Sequence, residues 1–488
     1  MSGAVVYRGT PPTMSRLTRR SFLAAAGAVA ASPALGATRQ KSKAVPGDPR
    51  SGVDVVIVGA GAAGIAAARR IMAAGRKCVV LEASATVGGR CLTDTALFGV
   101  PYDRGARAFH TPETNPVARL ALQNRFDIYP APPGQRMRIT RRYARESETE
   151  DMLAAMVRAN SAIADAARKS DIATAQALPK DLGEWRSTIE FMLGPYFCGK
   201  DVSETSALDL ARAAERDVQA YCRQGLGAVV AKLAADVPVR LSTPATRIGW
   251  GGRLVEVETA QGTIDARAAI VTASTNVLAA GKVRFAPDLP KRQLDAIERL
   301  KLGSYDHVTL ELAGNPLGLR TDEFVFEKSS SQRTAALLAN MSGSTLCTVD
   351  VGGRFGRELA AKGAKEMVAF ALDWLDNLYG AGLKRAAGRS HATNWNAEPW
   401  VLGAMSAAAP GGQIARRTLM EPMNNRVWFA GEAVHERLWG TVGGAWESGD
   451  RAAVAALRVI APTPEQKQQK QQKQPKQQPR QQPKPRQG

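Results

Sequence analysis

The stretch Asp54-Val55-Val56-Ile57-Val58-Gly59-Ala60-Gly61-Ala62-Ala63-Gly64 decides how the chain folds. Val55 to Val58 is a short β-branched run bounded upstream by Gly52, the composition of a parallel strand buried on both faces. It runs into a Gly-x-Gly-x-x-Gly turn and then an Ala-rich helix, predicted from Ile65 to Ala74 and closed by Gly75. Cys78 to Leu81 is a second apolar strand, followed at once by Glu82. A dinucleotide needs this set: Gly59 for the tight turn, Gly61 for backbone contact with a pyrophosphate, and Gly64 for close helix–strand packing. Ala63, inside the same turn, is counted with them. The helix N-terminus faces the phosphates, and Glu82 stands where a carboxylate accepts ribose hydroxyls.

The 488 residues are 44% hydrophobic and 23% charged, which excludes a wholly disordered chain and gives length for two or three domains. Five cysteines without C-x-x-C spacing exclude a disulfide scaffold and a zinc ribbon, and buried small hydrophobes are the expectation for all five. Four histidines leave little material for a metal site, so no metal is expected. The net charge of +20 is concentrated at the ends. Residues 1–50 carry eight Lys/Arg against Asp48, and residues 461–488 carry seven against Glu465, leaving +7 for the 410 residues between. That mildly basic body makes no case for a specific nucleic-acid partner.

The ends have their own signatures. Ser15-Arg16-Leu17-Thr18-Arg19-Arg20-Ser21-Phe22-Leu23, followed by an Ala-rich run and by Ala34-Leu35-Gly36-Ala37, reads as a bacterial twin-arginine (Tat) signal over 1–37, with a linker over 38–50. The apolar run is too short for a transmembrane span. A periplasmic location and use of the Tat export machinery are therefore expected. Such machinery carries folded proteins, commonly with cofactor inserted. From 461 to 488 the chain is a Gln/Lys/Pro tail with nothing to bury, either a plain solvated extension or a weak polyanion tether.

Further motifs narrow the dinucleotide. Gly88-Gly89-Arg90 follows the acid, Asp103-Arg104-Gly105-Ala106 follows that, and Ala245 lies in a stretch leading to the alternating strand Leu254–Thr259. Phe285-Ala286-Pro287-Asp288-Leu289-Pro290, then Trp395, Pro399 and Gly403, come next. Phe429-Ala430-Gly431-Glu432 and Gly440-Thr441-Val442-Gly443-Gly444-Ala445-Trp446-Glu447-Ser448-Gly449 close the series. Together, in this order, they resemble the flavin-containing amine oxidases, monoamine- or polyamine-oxidase-like. The fold class implied is α/β (α+β): a Rossmann-like FAD-binding domain of the two-dinucleotide-binding-domain type, interleaved with a mixed sheet and helix substrate domain. The FAD parts are expected at 51–115, 221–284 and 395–460, and the substrate parts at 116–220 (helical) and 285–394. Within that plan Glu148–Ser170 and Ala207–Ala220 have helical composition.

The resemblance also implies roles. Gly89, Arg90 and Ala106 would line the FAD, Arg90 by approaching its phosphate. Ala245 joins the cofactor contacts. Gly431 would admit the pyrophosphate, Glu432 would meet the ribityl-phosphate region, and Thr441 and Val442 would open a helix aimed at the flavin pyrimidine, where its positive end favours the anionic reduced ring. Trp395 would wall the cavity beside the isoalloxazine, or is an ordinary core tryptophan.

The chain departs from the family at four places. His307 stands where the family places a Lys near flavin N5, and reads either as a flavin neighbour or as an ordinary strand histidine. By strand parity it shares a face with Tyr305, Thr309 and Glu311. A histidine, unlike a lysine, loses its charge around neutral pH. Met405 and Thr441 fill the places of the paired tyrosines of monoamine oxidases, and His110 lies near the place of the polyamine-type acid. Ala404 replaces the cysteine that tethers flavin, so non-covalent FAD is expected. The leading functional reading is oxidation of a small primary or secondary amine by FAD, with O2 giving H2O2. The alternatives are a flavoprotein dehydrogenase, desaturase or L-amino-acid oxidase, and an exported flavin-binding interaction protein without turnover.

Overall fold

The computed structural model describes residues 52–460 except Glu215, Asp217 and Ala381. The expected leader, linker and basic tail lie outside the described residues. Strand β1 (Val53–Val58) leads into helix α1 (Ala62–Ala73), which returns to β2 (Cys78–Leu81), parallel to β1. On the other side β1 pairs in parallel with β3 (Gly262–Val271). Val58 is level with both Leu81 and Val271, so the residues just beyond them, Gly59, Glu82 and Thr272, share one rim of the sheet. In parallel sheets this carboxyl-end rim is where ligands bind. Val239–Arg240, Ala245–Gly249, Val255–Thr259, Arg284–Ala286 and Val427–Phe429 complete an eight-stranded sheet.

Helix α2 (Val442–Val459) packs across α1. The approach is close enough that a Cβ on Gly449 would stand 1.9 Å from the Ala63 carbonyl oxygen, so only glycine allows it. Ile57, Ile65, Ile71, Val80, Ile270 and Ala453, all inaccessible to solvent, knit helices and sheet into one apolar core.

A second, seven-stranded sheet runs in the order Ala387–Ala392, β4 (Tyr305–Leu312), β5 (Leu346–Gly352), Ala336–Ala339, Glu323–Glu327, Arg136–Ile139 and Arg142–Tyr143. β4 and β5 are antiparallel, with His307 directly opposite Asp350. Val308, Leu310, Val349 and Val351 pack with Trp374 and Leu375 into a separate core behind the sheet. Segments of the two sheets alternate along the chain. No helix among the described residues is long and apolar enough to cross a membrane.

Two sequence expectations are corrected. The helix expected over Ala207–Ala220 ends at Arg212, and Gln219–Cys222 is instead a strand paired with Phe109–His110 and Ile128–Pro130. The chain leaves the helix because the Ala214 amide donates to the Arg437 carbonyl (2.9 Å), a tertiary hydrogen bond that overrides the helical composition. The segment expected to be helical from 116 to 220 also contributes the strand Arg136–Ile139 to the second sheet, while its long helix runs Glu146–Lys169.

Candidate active site

A cavity of about 1300 Å³ begins at the rim and extends to the second sheet. It exceeds the roughly 300–1,000 Å³ of ordinary small-molecule pockets, as a site holding both a dinucleotide and a substrate must. At its first end, Gly59 has φ +103°, and a Cβ there would meet the Thr272 hydroxyl at 2.5 Å. A Cβ on Gly64 would stand 1.9 Å from the Gly59 carbonyl. Gly61 differs: nothing lies within 3.4 Å of its Cβ position, which leaves the backbone open to the cavity. Gly61 caps α1 without any side-chain hydrogen bond, and no acid lies in the first turn, so the first amides remain available to an anion.

Glu82 is buried at the neighbouring strand end. It accepts from the Ala60 amide (2.7 Å) and from the Ser84 amide and hydroxyl (both 2.8 Å), which fixes the carboxylate while leaving lone pairs for ribose hydroxyls. Ala63, Gly89, Arg90, Ala106, Ala245, Gly431, Glu432, Thr441 and Val442 all line the same cavity. Thr441 caps α2, accepting from the Gly444 amide at 3.0 Å, so the positive end of this second helix also opens into the cavity. These uncapped amides, open glycines and pinned carboxylate fit FAD. Ala404 on the wall offers no side chain to tether it.

Arg90 and Glu432 form an ion pair at 2.8 Å, and Arg90 also donates to the Ala404 carbonyl. Glu432 is buried and accepts in addition from Ser406 (hydroxyl, 2.7 Å) and from the Gly440 amide (2.8 Å). Burial is the largest single influence and opposes its charge, but the Arg90 charge, the hydrogen bonds from Ser406 and Arg90 and the charge of Arg416 together outweigh it, holding the carboxyl below its usual range. Behind it Arg416, wholly buried, pairs bidentately with Asp209 (2.7 and 2.6 Å) and donates to Ser406 and the Ala433 carbonyl. Arg90 and Glu432 thus join the Gly-Gly-Arg turn to the loop before α2.

At the far end, the cavity wall carries Tyr196, Phe197, Tyr221, Tyr305, Phe324 and Phe326. His307 lies on this wall, nearly buried. Its Nδ1 is 2.6 Å from Asp350 and its Nε2 is 3.0 Å from the Gly105 carbonyl, so both ring nitrogens face an acceptor. Arg107 closes on Asp350 with both Nη atoms (3.1 and 2.5 Å), and the Tyr305 hydroxyl donates to the same carboxylate at 2.8 Å. Asp350 is fully buried. Burial is the largest single influence and pushes its pKa up, but Arg107 and His307, through charge and hydrogen bonds together, more than offset this and hold the carboxyl well below the usual range. Trp395 also lines the cavity. Its indole donates to the Arg104 carbonyl (3.0 Å) and its amide to Asp306 (2.9 Å).

Sequence reasoning reached neither Asp350 and Arg107 nor Asp306. Asp306 sits on the opposite face of β4 from His307, accepts from Thr393 and from the Trp395 amide, and keeps its second oxygen without a partner. The available signal was an acid in an otherwise apolar strand, as at Asp350 in Leu346-Cys347-Thr348-Val349-Asp350-Val351. All five cysteines are buried and unpaired, as expected. No cluster of metal-ligating side chains occurs among the described residues.

Comparisons with known proteins agree with this arrangement. The chain is 26% identical over 435 residues to lysine-specific histone demethylase 2 of Homo sapiens, covering 82% of this chain and 53% of that protein. It is 27% identical over 460 residues to lysine-specific histone demethylase 1 homolog 2 of Oryza sativa subsp. japonica, covering 85% and 59%. It therefore spans little more than half the length of these curated relatives. Among solved structures, cyclohexylamine oxidase from Brevibacterium oxydans superposes with a TM-score of 0.71 at 22% identity, over 84% of this chain and 99% of that one. A putrescine oxidase redesigned for cofactor binding gives 0.72 at 19% identity, over 83% and 99%, so both likenesses concern the fold. The model of the flavin-containing amine oxidoreductases matches residues 62–457, from the first turn of α1 to the last turn of α2. The chain belongs to the flavin-containing amine oxidoreductase family, and its cofactor is FAD.

Proposed function

We propose that this protein is an amine oxidase that holds FAD non-covalently and oxidises a small primary or secondary amine. The observation that carries the reading is the continuity of one cavity from the FAD cradle at Gly61 and Glu82 to the aromatic wall at Tyr196 and Tyr305. A substrate seated on that wall shares one cavity with the cofactor. Bound FAD supplies the hydride acceptor, and the overall change is R-CH2-NH2 + O2 + H2O → R-CHO + NH3 + H2O2. A neutral amine provides the electron pair that pushes the hydride out, so no side-chain base is needed. This chain's residues have other tasks. Trp395 and the aromatic wall exclude water and orient the substrate, and the N-terminus of α2 favours negative charge where it opens into the cavity. His307, held by Asp350, presents a fixed polar edge on the wall.

Peroxide release from a panel of small amines tests the reading. Turnover with an artificial electron acceptor but not with O2 would instead mark a dehydrogenase, and silence with both would leave a flavin-binding protein without turnover. The twin-arginine pattern at Arg19 and Arg20 supports Tat export to the periplasm as part of the same proposal.

A further inference from the structure

Arg216 is a buried cation that lines the cavity, and among the described residues no carboxylate forms an ion pair with it. Its guanidinium packs over two rings that meet edge to face, 4.5 Å from the centroid of Phe197 and 4.7 Å from that of Trp439, and one Nη donates to the Trp439 carbonyl. Its Nε has no partner. His110 lines the same corner, and its Nδ1 is also without a partner. Burial, and then the charge of Arg216, push the His110 pKa down to about 3, so its ring is neutral and adds no positive charge of its own. A Cβ on Gly440, one residue before the cap of α2, would lie 3.7 Å from an Arg216 Nη and 3.6 Å from Met405. The guanidinium therefore stands beside the helix N-terminus that faces the cofactor.

The carboxylates beside the aromatic wall are engaged. Asp350 is met by Arg107, His307 and Tyr305. Asp322 accepts from the Tyr129 hydroxyl (3.0 Å) and the Ser342 amide (2.8 Å). A polycationic amine would need free carboxylates here, whereas Arg216 is a buried cation without an ion pair among the described residues: Asp209 and Glu432 temper its charge at a distance but are themselves paired with Arg416 and Arg90. Burying a lone guanidinium is costly unless something anionic meets it in the working complex.

We propose that Arg216 is a specificity-determining residue that binds the carboxylate of the substrate, so that the amine oxidised is a carboxylate-bearing one of the amino-acid class. The aromatic wall of Tyr196, Phe197 and Phe324 fits an aromatic or large apolar side chain on it. The inference rests on the amine-oxidase reading, with the substrate class made specific.

The test begins with a ligand that needs no turnover. Hydrocinnamate and its neutral isostere hydrocinnamamide are titrated into the FAD-loaded enzyme, and binding is read from the shift of the flavin visible absorbance. Hydrocinnamate should bind tighter than the amide by roughly 10- to 100-fold, the range of a charge-assisted hydrogen bond, and Arg216→Met should abolish the preference. Arg216→Gln keeps a donor for the Trp439 carbonyl without the charge, and serves if the Met variant does not fold. In turnover, the kcat/KM ratio of phenylalanine to phenethylamine should fall by a similar factor in either variant. Equal affinity for the two ligands in the wild type, or a preference that survives both substitutions, overturns the proposal. A change confined to the spectrum of the ligand-free enzyme does so too, because it places Arg216 on the flavin instead. If neither phenylalanine nor any amine is oxidised, the amine-oxidase reading fails, while the titration still decides the carboxylate site.

Discussion

His307 and Asp350 face each other across the β4–β5 pair, with Nδ1 2.6 Å from the carboxylate, and Arg107 grips that same carboxylate from the cavity side. Asp350 is therefore the shared counter-ion of two groups. Asp350→Asn should cost about 3–5 kcal/mol, because it leaves a largely buried guanidinium facing a neutral amide. Combining Asp350→Leu with Arg107→Met should recover much of that loss. Urea unfolding of Asp350→Leu, Arg107→Met and their double variant, closed as a cycle, measures the coupling, and strict additivity would refute it.

His307→Ala should slow reoxidation of the reduced flavin by O2 by roughly tenfold or more, on the scale of one lost electrostatic contact to developing charge. The amine-oxidation half-reaction should change less, since hydride transfer needs no imidazole. Stopped-flow records of the two half-reactions check this. An unchanged oxidative half-reaction would mark His307 as structural.

Asp306 gives a stability prediction with a definite sign. Burial is the main cause that pushes its carboxyl up to about 6, partly offset by the Trp395 amide and the Thr393 hydroxyl. A carboxyl raised on folding holds its proton more tightly in the folded chain, so stability falls as pH rises from about 4 to about 6 and stays lower above. The full span is about 3 kcal/mol for a shift of roughly two units. Asp306→Asn should remove this fall, so its melting temperature should match the wild type near pH 4 and be no lower than wild type at pH 7.

Two glycines of the cradle should fail differently. Gly61→Val has room for its Cβ within the fold but fills the space a pyrophosphate needs, so the purified protein should be folded by circular dichroism and colourless. Gly64→Ala drives its Cβ into the Gly59 carbonyl and should cost stability, about 1–3 kcal/mol, before cofactor is considered. Wild-type protein should be yellow and release all its FAD on acid precipitation. Flavin left in the pellet would contradict a non-covalent site.

Arg19→Lys with Arg20→Lys keeps the charge of the leader but removes the guanidinium forks, and should block export of a reporter fusion to the periplasm. Equal export of both forms would rule out the twin-arginine reading.

The dinucleotide half of the molecule was legible because its requirements are local. Gly59, Gly61, Gly64 and Glu82 lie within one strand–helix–strand unit, and each is set by a steric or hydrogen-bonding need that a short stretch expresses. The substrate half was not, because its partners meet only through register. His307 was visible as a polar residue in a strand, but nothing near it in sequence indicates that Asp350 stands opposite or that Arg107 arrives from the loop before Phe109. Arg216 was hidden by its neighbours: an Ala-rich segment reads as helix, whereas a hydrogen bond to Arg437 and the stack on Trp439 draw the chain out of it.

The pairing of Arg90 with Glu432 bears on how the cofactor arrives. Arg90, a cation lining the cavity, is already balanced by a buried acid, so the phosphates are met chiefly by the amide dipoles at the start of α1. Attraction of that kind is short-ranged and weakly screened, unlike a field of free surface charges. Capture of FAD by the apoprotein should therefore vary little between dilute and concentrated salt, and docking should be governed by fit within the cavity more than by long-range steering.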